Sequence, residues 1–174
     1  MTCYFAFPSS DALRDSSLTL LENFERGVNE PQNSLFIRVA QLFSDEVVNM
    51  LLLNLVRGSE TPQSTASVIE SFAGLIKTTV HSLIKQLVSK MDNDELRLLA
   101  PIIENRRLVI EMDGEAKDFI VFVMAPDFHA RFRRALEKGM KGEQDGAELL
   151  ACMELFSEQA HKVFYEDSIK PVKL

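Results

Sequence analysis

Leu108-Val-Ile-Glu-Met112 and Phe119-Ile-Val-Phe-Val123 are two short runs rich in β-branched and aromatic residues, and they determine the fold class. The segment between them, Asp113-Gly114-Glu-Ala-Lys117, has the composition of a turn. Such residues fit a pleated, half-buried surface, so the sequence predicts an antiparallel hairpin over 107–124. Because the patterns on both sides of the hairpin are helical, we expect an α+β fold that is predominantly helical with a small antiparallel sheet.

The apolar residues of the hairpin suggest a register in which Asp113 lies opposite Asp118. Side chains in a strand alternate between two faces, so this register places six apolar residues on one face. A second set on the opposite face would then need a cover. The six residues pair as Met112 with Phe119, Ile110 with Val121 and Leu108 with Val123, and the second set is Tyr4, Val109, Phe119 and Phe122.

A hairpin needs further strands, because two strands alone are only marginally stable in water. Residues 2–7 contain Cys3-Tyr-Phe-Ala-Phe7, which has the composition of a strand and is followed by Pro8. We therefore expect strand 2–7 to join the sheet, either from the same chain or from a neighbouring subunit.

About six helices are expected around this sheet. The first follows a capping residue, Ser9 or Asp15, and ends near Gly27. The second, roughly 34–57, is apolar nearly all round in its C-terminal half, which is typical of a helix at the centre of a bundle. The apolar stripe predicted for the first helix is Leu13, Leu18, Leu21 and Phe24.

The third helix is predicted to begin at Thr61-Pro62, where a capping residue precedes a proline. A capping box at Asp92-Asn-Asp-Glu95 starts the fourth helix, which we expect to bend or end before Pro101. Two more helices are predicted over 126–138 and 145–165. The stripe predicted to bury the third helix is Ile69, Phe72, Ile76, Val80, Leu83, Leu87 and Met91.

Composition bounds the function. The 174 residues fit one globular domain spanning 1–174, since no repeat or linker divides them. A net charge of −7 disfavours general binding to nucleic acid, because an acidic surface is repelled by the phosphate backbone.

Two cysteines, Cys3 and Cys152, suit a reducing cytoplasm better than a disulfide framework. The N-terminus lacks the features of a signal peptide, and 35–56 carries too many polar residues for a membrane span, so we expect no membrane partner.

Motifs for catalysis are weak. Glu158-Gln-Ala-His161 has the spacing of a di-iron ligand pair, but the chain contains one such pair and Glu158 faces away from the apolar stripe of its helix. Cys152 lies on that apolar stripe, where a thiol is inert. Phosphate loops, nucleophile elbows and paired-cysteine metal motifs are absent from the sequence. We therefore expect a non-catalytic protein with no cofactor and no metal.

Two groups of basic residues are candidates for contact with an anion or a protein partner. One is a row of residues four apart on the third helix, beside its apolar stripe. The other surrounds Phe128-His-Ala-Arg-Phe-Arg-Arg134, where aromatic and cationic residues interleave as they do in single-strand nucleic-acid binders, although Phe128 and Phe132 also have core spacing. The candidates are Lys77, His81 and Lys85 in the first group and Arg106, Arg107, Arg131, Arg133 and Arg134 in the second.

The sequence favours a cytoplasmic protein that acts through protein–protein contacts and self-associates, with a homodimer formed by the second sheet face or the third helix. Two alternatives remain open. One is a protein that binds a small apolar ligand in a pocket between the sheet and the helices. The other is a nucleic-acid-binding regulator that uses the arginine-rich helix 126–138.

Overall fold

The structure is a computed structural model that describes residues 3–54 and 63–124, together with Asp127, Ala130, Arg131 and Arg134. Helices dominate this part of the chain. One strand precedes them and two strands follow them, and the three strands form one small sheet. The elements in chain order are β1 (Cys3–Pro8), α1 (Asp11–Glu25), α2 (Asn33–Val48), a π-helical turn (Asn49–Leu53), α3 (Gln63–Val88), α4 (Asn93–Glu104), β2 (Arg107–Met112) and β3 (Glu115–Met124).

The predicted fold class is confirmed, but the predicted count of six helices is not supported. Residues 3–54 and 63–124 contain four α-helices and one three-stranded antiparallel sheet. The predicted helix 145–165 lies outside the described residues, as does Thr61-Pro62. Four residues of the predicted helix 126–138 are described, and all four are helical.

The N-terminal strand joins the sheet, as predicted, and comes from the same chain. The strand order is β1-β3-β2, so β3 lies between two edge strands. Phe7 pairs with Ile120 on one side of β3, and Arg107 pairs with Ile120 on the other. β1 therefore packs beside the second strand of the hairpin, and β2 is one strand further out.

The predicted register of the hairpin is wrong by four residues. Met112 pairs with Glu115 instead of Phe119, and Leu108 pairs with Phe119. The cause is the turn, which has only two residues, Asp113 (φ 56°) and Gly114 (φ 80°). Two consecutive positive φ angles define the type I′ turn that suits the twist of a hairpin, and Asp-Gly is one of its preferred sequences.

The two faces of the sheet also differ from the prediction. Ile120 and Phe122 are buried against the helices, whereas Phe119 lies on the opposite face and is half-buried. Phe119 and Phe122 are three residues apart in one strand, so they cannot share a face. The predicted second set of Tyr4, Val109, Phe119 and Phe122 is therefore not one surface.

The core lies between the inner face of the sheet and the helices α1, α2 and α4. Leu20 and Leu96 are fully buried there, with Ile120 of β3 nearly so. Stacked rings of Phe7 and Phe122, 6.2 Å apart, close the sheet side of this core. A second buried cluster joins α3 to α2 and the π-helical turn, and consists of Val48, Leu52, Ile69 and Ala73. The second predicted helix is thus packed on several sides.

α1 differs from the first predicted helix in its cap and in part of its buried face, although Leu13 is buried and Phe24 packs against the core as predicted. Ser10 is the capping residue, and its hydroxyl accepts a hydrogen bond from the Leu13 amide. Ser17 and Leu20 are buried, whereas Leu18 is exposed. The side of α1 that carries the small Ser17 faces inward. A small side chain there leaves room for the neighbouring helices α2 and α4.

α4 begins as predicted and ends later than predicted. Asp92 and Glu95 form a capping box, in which each side chain accepts a hydrogen bond from the backbone amide of the other residue. The helix continues through Pro101 to Glu104, so it does not end before Pro101, and the predicted alternative of a bend there stays a prediction. Pro101 is exposed, so solvent can satisfy the carbonyl of Arg97, which loses its helical amide partner.

α3 buries a face that coincides with the predicted stripe only in part, at Ile69 and Ile76. Ile69, Ala73 and Val88 are buried, and Ile76 and Ile84 pack against the two clusters. Phe72, Leu83 and Leu87, which belong to the predicted stripe, are exposed. Small Ala73 allows α3 to approach the π-helical turn, and this contact selects the face that turns inward. Among the described residues, no helix has the length and apolar character needed to cross a bilayer.

Candidate contact surfaces

Large apolar side chains are exposed in two rows, and few are exposed elsewhere. Within residues 3–54 and 63–124, nine of the eleven exposed large hydrophobic residues lie on α3 and β2, five on the helix and four on the strand. The other two, Leu18 and Leu98, are isolated. Scattered exposed leucines are normal in any protein, whereas contiguous apolar rows are typical of binding sites and interfaces.

The first row, called the α3 row below, runs along the outward side of α3. Its members are separated by four, three, eight and four residues, and Thr79 fills the long interval. They lie on one side of the helix because residues three and four apart are neighbours on its surface. The row carries no charged residue of its own and consists of Val68, Phe72, Leu75, Leu83 and Leu87.

The second row, called the β2 row below, covers the outer strand of the sheet. Every residue of β2 after Arg107 is exposed, and Val109 is 58% exposed. Leu108, Ile110 and Met112 share the face that points away from the core, and Val109 lies on the other face. The strand thus offers apolar side chains on both faces of a sheet edge.

The basic row predicted on α3 is largely engaged within the chain. Lys77 donates a hydrogen bond of 2.7 Å from Nζ to Oδ1 of Asn49. His81 Nε2 lies 2.9 Å from Oδ1 of Asp45, and both side chains are about one-third exposed. Lys85 is exposed. Two of the three candidates therefore join α3 to α2 and the π-helical turn, and only Lys85 projects outward.

Arg106 and Arg107 are also tied to the sheet. The guanidinium of Arg107 donates a hydrogen bond of 2.5 Å to Oδ2 of Asp118, whose side chain is almost fully buried. Arg106 lies with its guanidinium carbon 5.8 Å from the centre of the Phe122 ring, within the range of a cation–π contact. Both arginines therefore stabilise the sheet, and their contact with an anion remains a prediction.

The charge of Asp118 is only partly compensated. Among the described residues, its second oxygen, Oδ1, is buried without a donor, and Nε of Arg107 is buried without an acceptor. The ion pair with Arg107 is the one salt bridge that this carboxylate forms with those residues. Removal of either partner would leave a poorly solvated charge, which is costly.

Arg14, on the surface of α1, is a cation that needs no external partner. A hydrogen bond from Nε to Asp15, and the attraction of Asp15 and then Asp11, raise the pKa of this arginine above its usual value. The guanidinium remains charged and is satisfied within α1.

The remaining candidates come from the arginine-rich segment. Arg131 and Arg134 are helical and exposed, and Nε of Arg134 donates to the carbonyl of Ala130 at 3.3 Å. Arg133 lies outside the described residues. The structure thus places Arg107 beside Asp118 and Arg106 beside Phe122, and it places Lys77 beside the π-helical turn and His81 beside α2.

Sequence reasoning missed the acceptors of these cations. Asp45 and Asn49 are four residues apart, as are Lys77 and His81, so matched spacing on two helices was the available signal. Asp118 was visible as a lone acid in an apolar strand, close in sequence to Arg107. The two-residue turn would have placed them together, because it sets the register of the hairpin.

The residues that the sequence offered for metal binding or nucleophilic chemistry lie outside the described part of the chain. Within residues 3–54 and 63–124, no group of three or more His, Cys, Asp or Glu side chains is placed to hold a metal ion. Glu158, His161 and Cys152 lie outside the described residues. The His81–Asp45 contact joins α3 to α2.

Comparisons with known proteins give no further guide to function. No family model, curated protein or solved structure matches this chain.

Proposed function

We propose that this is a non-catalytic protein that acts through protein–protein contacts and associates with a second copy of itself. One observation carries the proposal: among the residues that the structure describes, the exposed large hydrophobic side chains are concentrated in the α3 row and the β2 row. Burial of apolar area is the main favourable term in association, and the core of an interface is depleted of charged residues. Both rows fit that description.

The charge distribution supports a contact between proteins. The chain as a whole carries −7, yet the α3 row contains no acid or base. β2 contains Arg107 and Glu111, which have opposite signs. A second copy can therefore approach either surface without meeting a concentration of like charge.

The mass of the full chain in solution tests the proposal. Sedimentation equilibrium over a wide range of protein concentration is expected to show two copies at high concentration and dissociation on dilution. A single copy at the highest concentration would overturn the proposal.

A matched pair of double variants tests whether the rows carry the contact. Leu75→Ser with Leu108→Ser removes one exposed leucine from each row, and association should weaken. Leu18→Ser with Leu98→Ser removes two exposed leucines outside the rows, and association should be unchanged. If the two double variants associated equally strongly, the exposed rows would not carry the contact between copies.

A further inference from the structure

We propose that β2 pairs with β2 of a second copy, antiparallel, with the two Val109 residues facing each other on a twofold axis. The sheet order β1-β3-β2 would then continue across the axis into a six-stranded sheet. The inference rests on the proposed function and names its partner and its surface.

The backbone of β2 leaves one edge unpaired among the described residues. The amide of Val121 donates to the carbonyl of Arg106, in line with the ladder that pairs Arg107 with Ile120. Hydrogen-bonded pairs alternate along an antiparallel ladder, so the even-numbered residues of β2 bond to β3. Arg107, Val109 and Glu111 therefore direct their amides and carbonyls away from the sheet.

The other edge of the sheet is protected and the β2 edge is not. The amide of Ser9 donates to the carbonyl of Asp118, so Ala6 and Pro8 direct their backbone outward from β1. Pro8 has no amide to offer, which is a common protection of an edge strand. β2 contains neither proline nor lysine, and its central residues Leu108, Val109 and Ile110 are exposed.

Symmetry limits the possible registers of a β2 pair. A twofold axis perpendicular to the sheet keeps each face on its own side, so residues of the same parity must lie opposite each other. With Val109 on the axis, Arg107 of each copy faces Glu111 of the other, and Leu108 faces Ile110. The nearest alternative registers place Val109 opposite Arg107 or Glu111, which opposes an apolar and a charged side chain.

Charge complementarity favours the register centred on Val109. Opposite charges across neighbouring strands stabilise a pair, and like charges destabilise it. Glu111 is exposed and forms no ion pair with any described residue. The proposed pairing places it, twice in each dimer, opposite an arginine whose guanidinium also contacts Asp118 of its own chain.

The α3 row is the competing surface. It is apolar and uncharged, so it accepts an apolar face of a partner or of the same chain. Nothing on the described part of α3 sets a direction or register for a second copy. β2 offers both a backbone ladder and a charge pattern.

Two variants with matched controls test the pairing in the full chain by sedimentation equilibrium. Val109→Pro removes an amide that points away from β3, so the intramolecular ladder keeps its hydrogen bonds and the dimer should weaken about a hundredfold. Val109→Thr keeps the amide and is the control.

Glu111→Lys faces Arg107 with a like charge and should weaken the dimer on the order of tenfold. Glu115→Lys makes the same charge change on β3, away from the edge, and should have no effect.

Each result bears on the inference. A wild-type dimer that Val109→Pro and Glu111→Lys dissociate, while both controls remain dimeric, supports it. If Glu111→Lys leaves the wild-type dimer intact, the β2 pairing is overturned and the proposed function stands. If Leu75→Ser alone then dissociates the dimer, the contact is assigned to α3. A wild-type monomer overturns both. Circular dichroism establishes that each variant is folded, and Glu111→Lys decides the result if Val109→Pro is unfolded.

Discussion

The two edge strands of the sheet have similar compositions, but only β1 places a described apolar side chain, Phe7, in the core. β1 and β2 both pair with β3, and both are rich in apolar residues. Phe7 of β1 is 3% exposed and stacks on Phe122, whereas every residue of β2 after Arg107 is exposed. The difference shows that position in the sheet, more than composition, determines which apolar residues reach the core.

The connections of the two strands explain this difference. β1 leads directly into α1, and the Ser10 cap of that helix is hydrogen-bonded to Glu46 of α2. The end of β1 is thereby fixed against the helices. β2 leads only into the turn at Asp113 and Gly114, and it lies one strand further from α1. Its apolar residues remain available for an external contact.

One alanine substitution in each edge strand gives the largest expected contrast between the strands. Phe7→Ala should lower the free energy of unfolding by about 3–5 kcal/mol, because it opens a cavity beside Phe122 in the core. Leu108→Ala on β2 should change it by less than about 0.5 kcal/mol in the monomer, because that side chain is exposed. Urea denaturation at a protein concentration below dimer formation measures both values. Similar losses in the two variants would mean that β2 is covered within its own chain.

A smaller effect is expected at the ion pair that joins the two hairpin strands. Asp118→Ala should cost about 2 kcal/mol of unfolding free energy, because Arg107 loses its only carboxylate partner among the described residues. This figure lies below the usual cost of breaking a buried pair, since the Arg107 side chain is 20% exposed. Glu111→Ala removes an exposed acid from the same hairpin and should cost almost nothing. Equal thermal stability of the two variants would contradict the structural role of Asp118.

Local patterns were sufficient to predict the element types. β-branched runs predicted the strands, and the capping box at Asp92 marked the start of α4. These features depend on neighbouring residues in the sequence, so a single sequence contains them. The N-terminal strand was predictable because the hairpin alone would not be stable.

The faces of the elements were harder to predict, because they depend on packing between distant segments. α3 has apolar residues on more than half of its circumference, so its periodicity permits two buried faces. Contact of Ala73 with the π-helical turn selects one of them, and that turn is not visible in the sequence pattern. The ion pair at Asp118 was missed for a related reason, since a register error of four residues separated it from Arg107.

The smallest expected effect tests the turn that sets this register. Gly114 has φ of 80°, where a side chain is strained, so Gly114→Ala should cost about 1 kcal/mol of unfolding free energy. The space around Gly114 is open, so the cost arises from the backbone and not from a clash. Gly74, a helical glycine with open surroundings, provides the control, and Gly74→Ala should stabilise the protein slightly. If Gly114→Ala were also stabilising, the hairpin would not depend on a type I′ turn. The pairing of Arg107, Val109 and Glu111 across the β2 edge would then lose its structural basis, because their outward orientation follows from that turn.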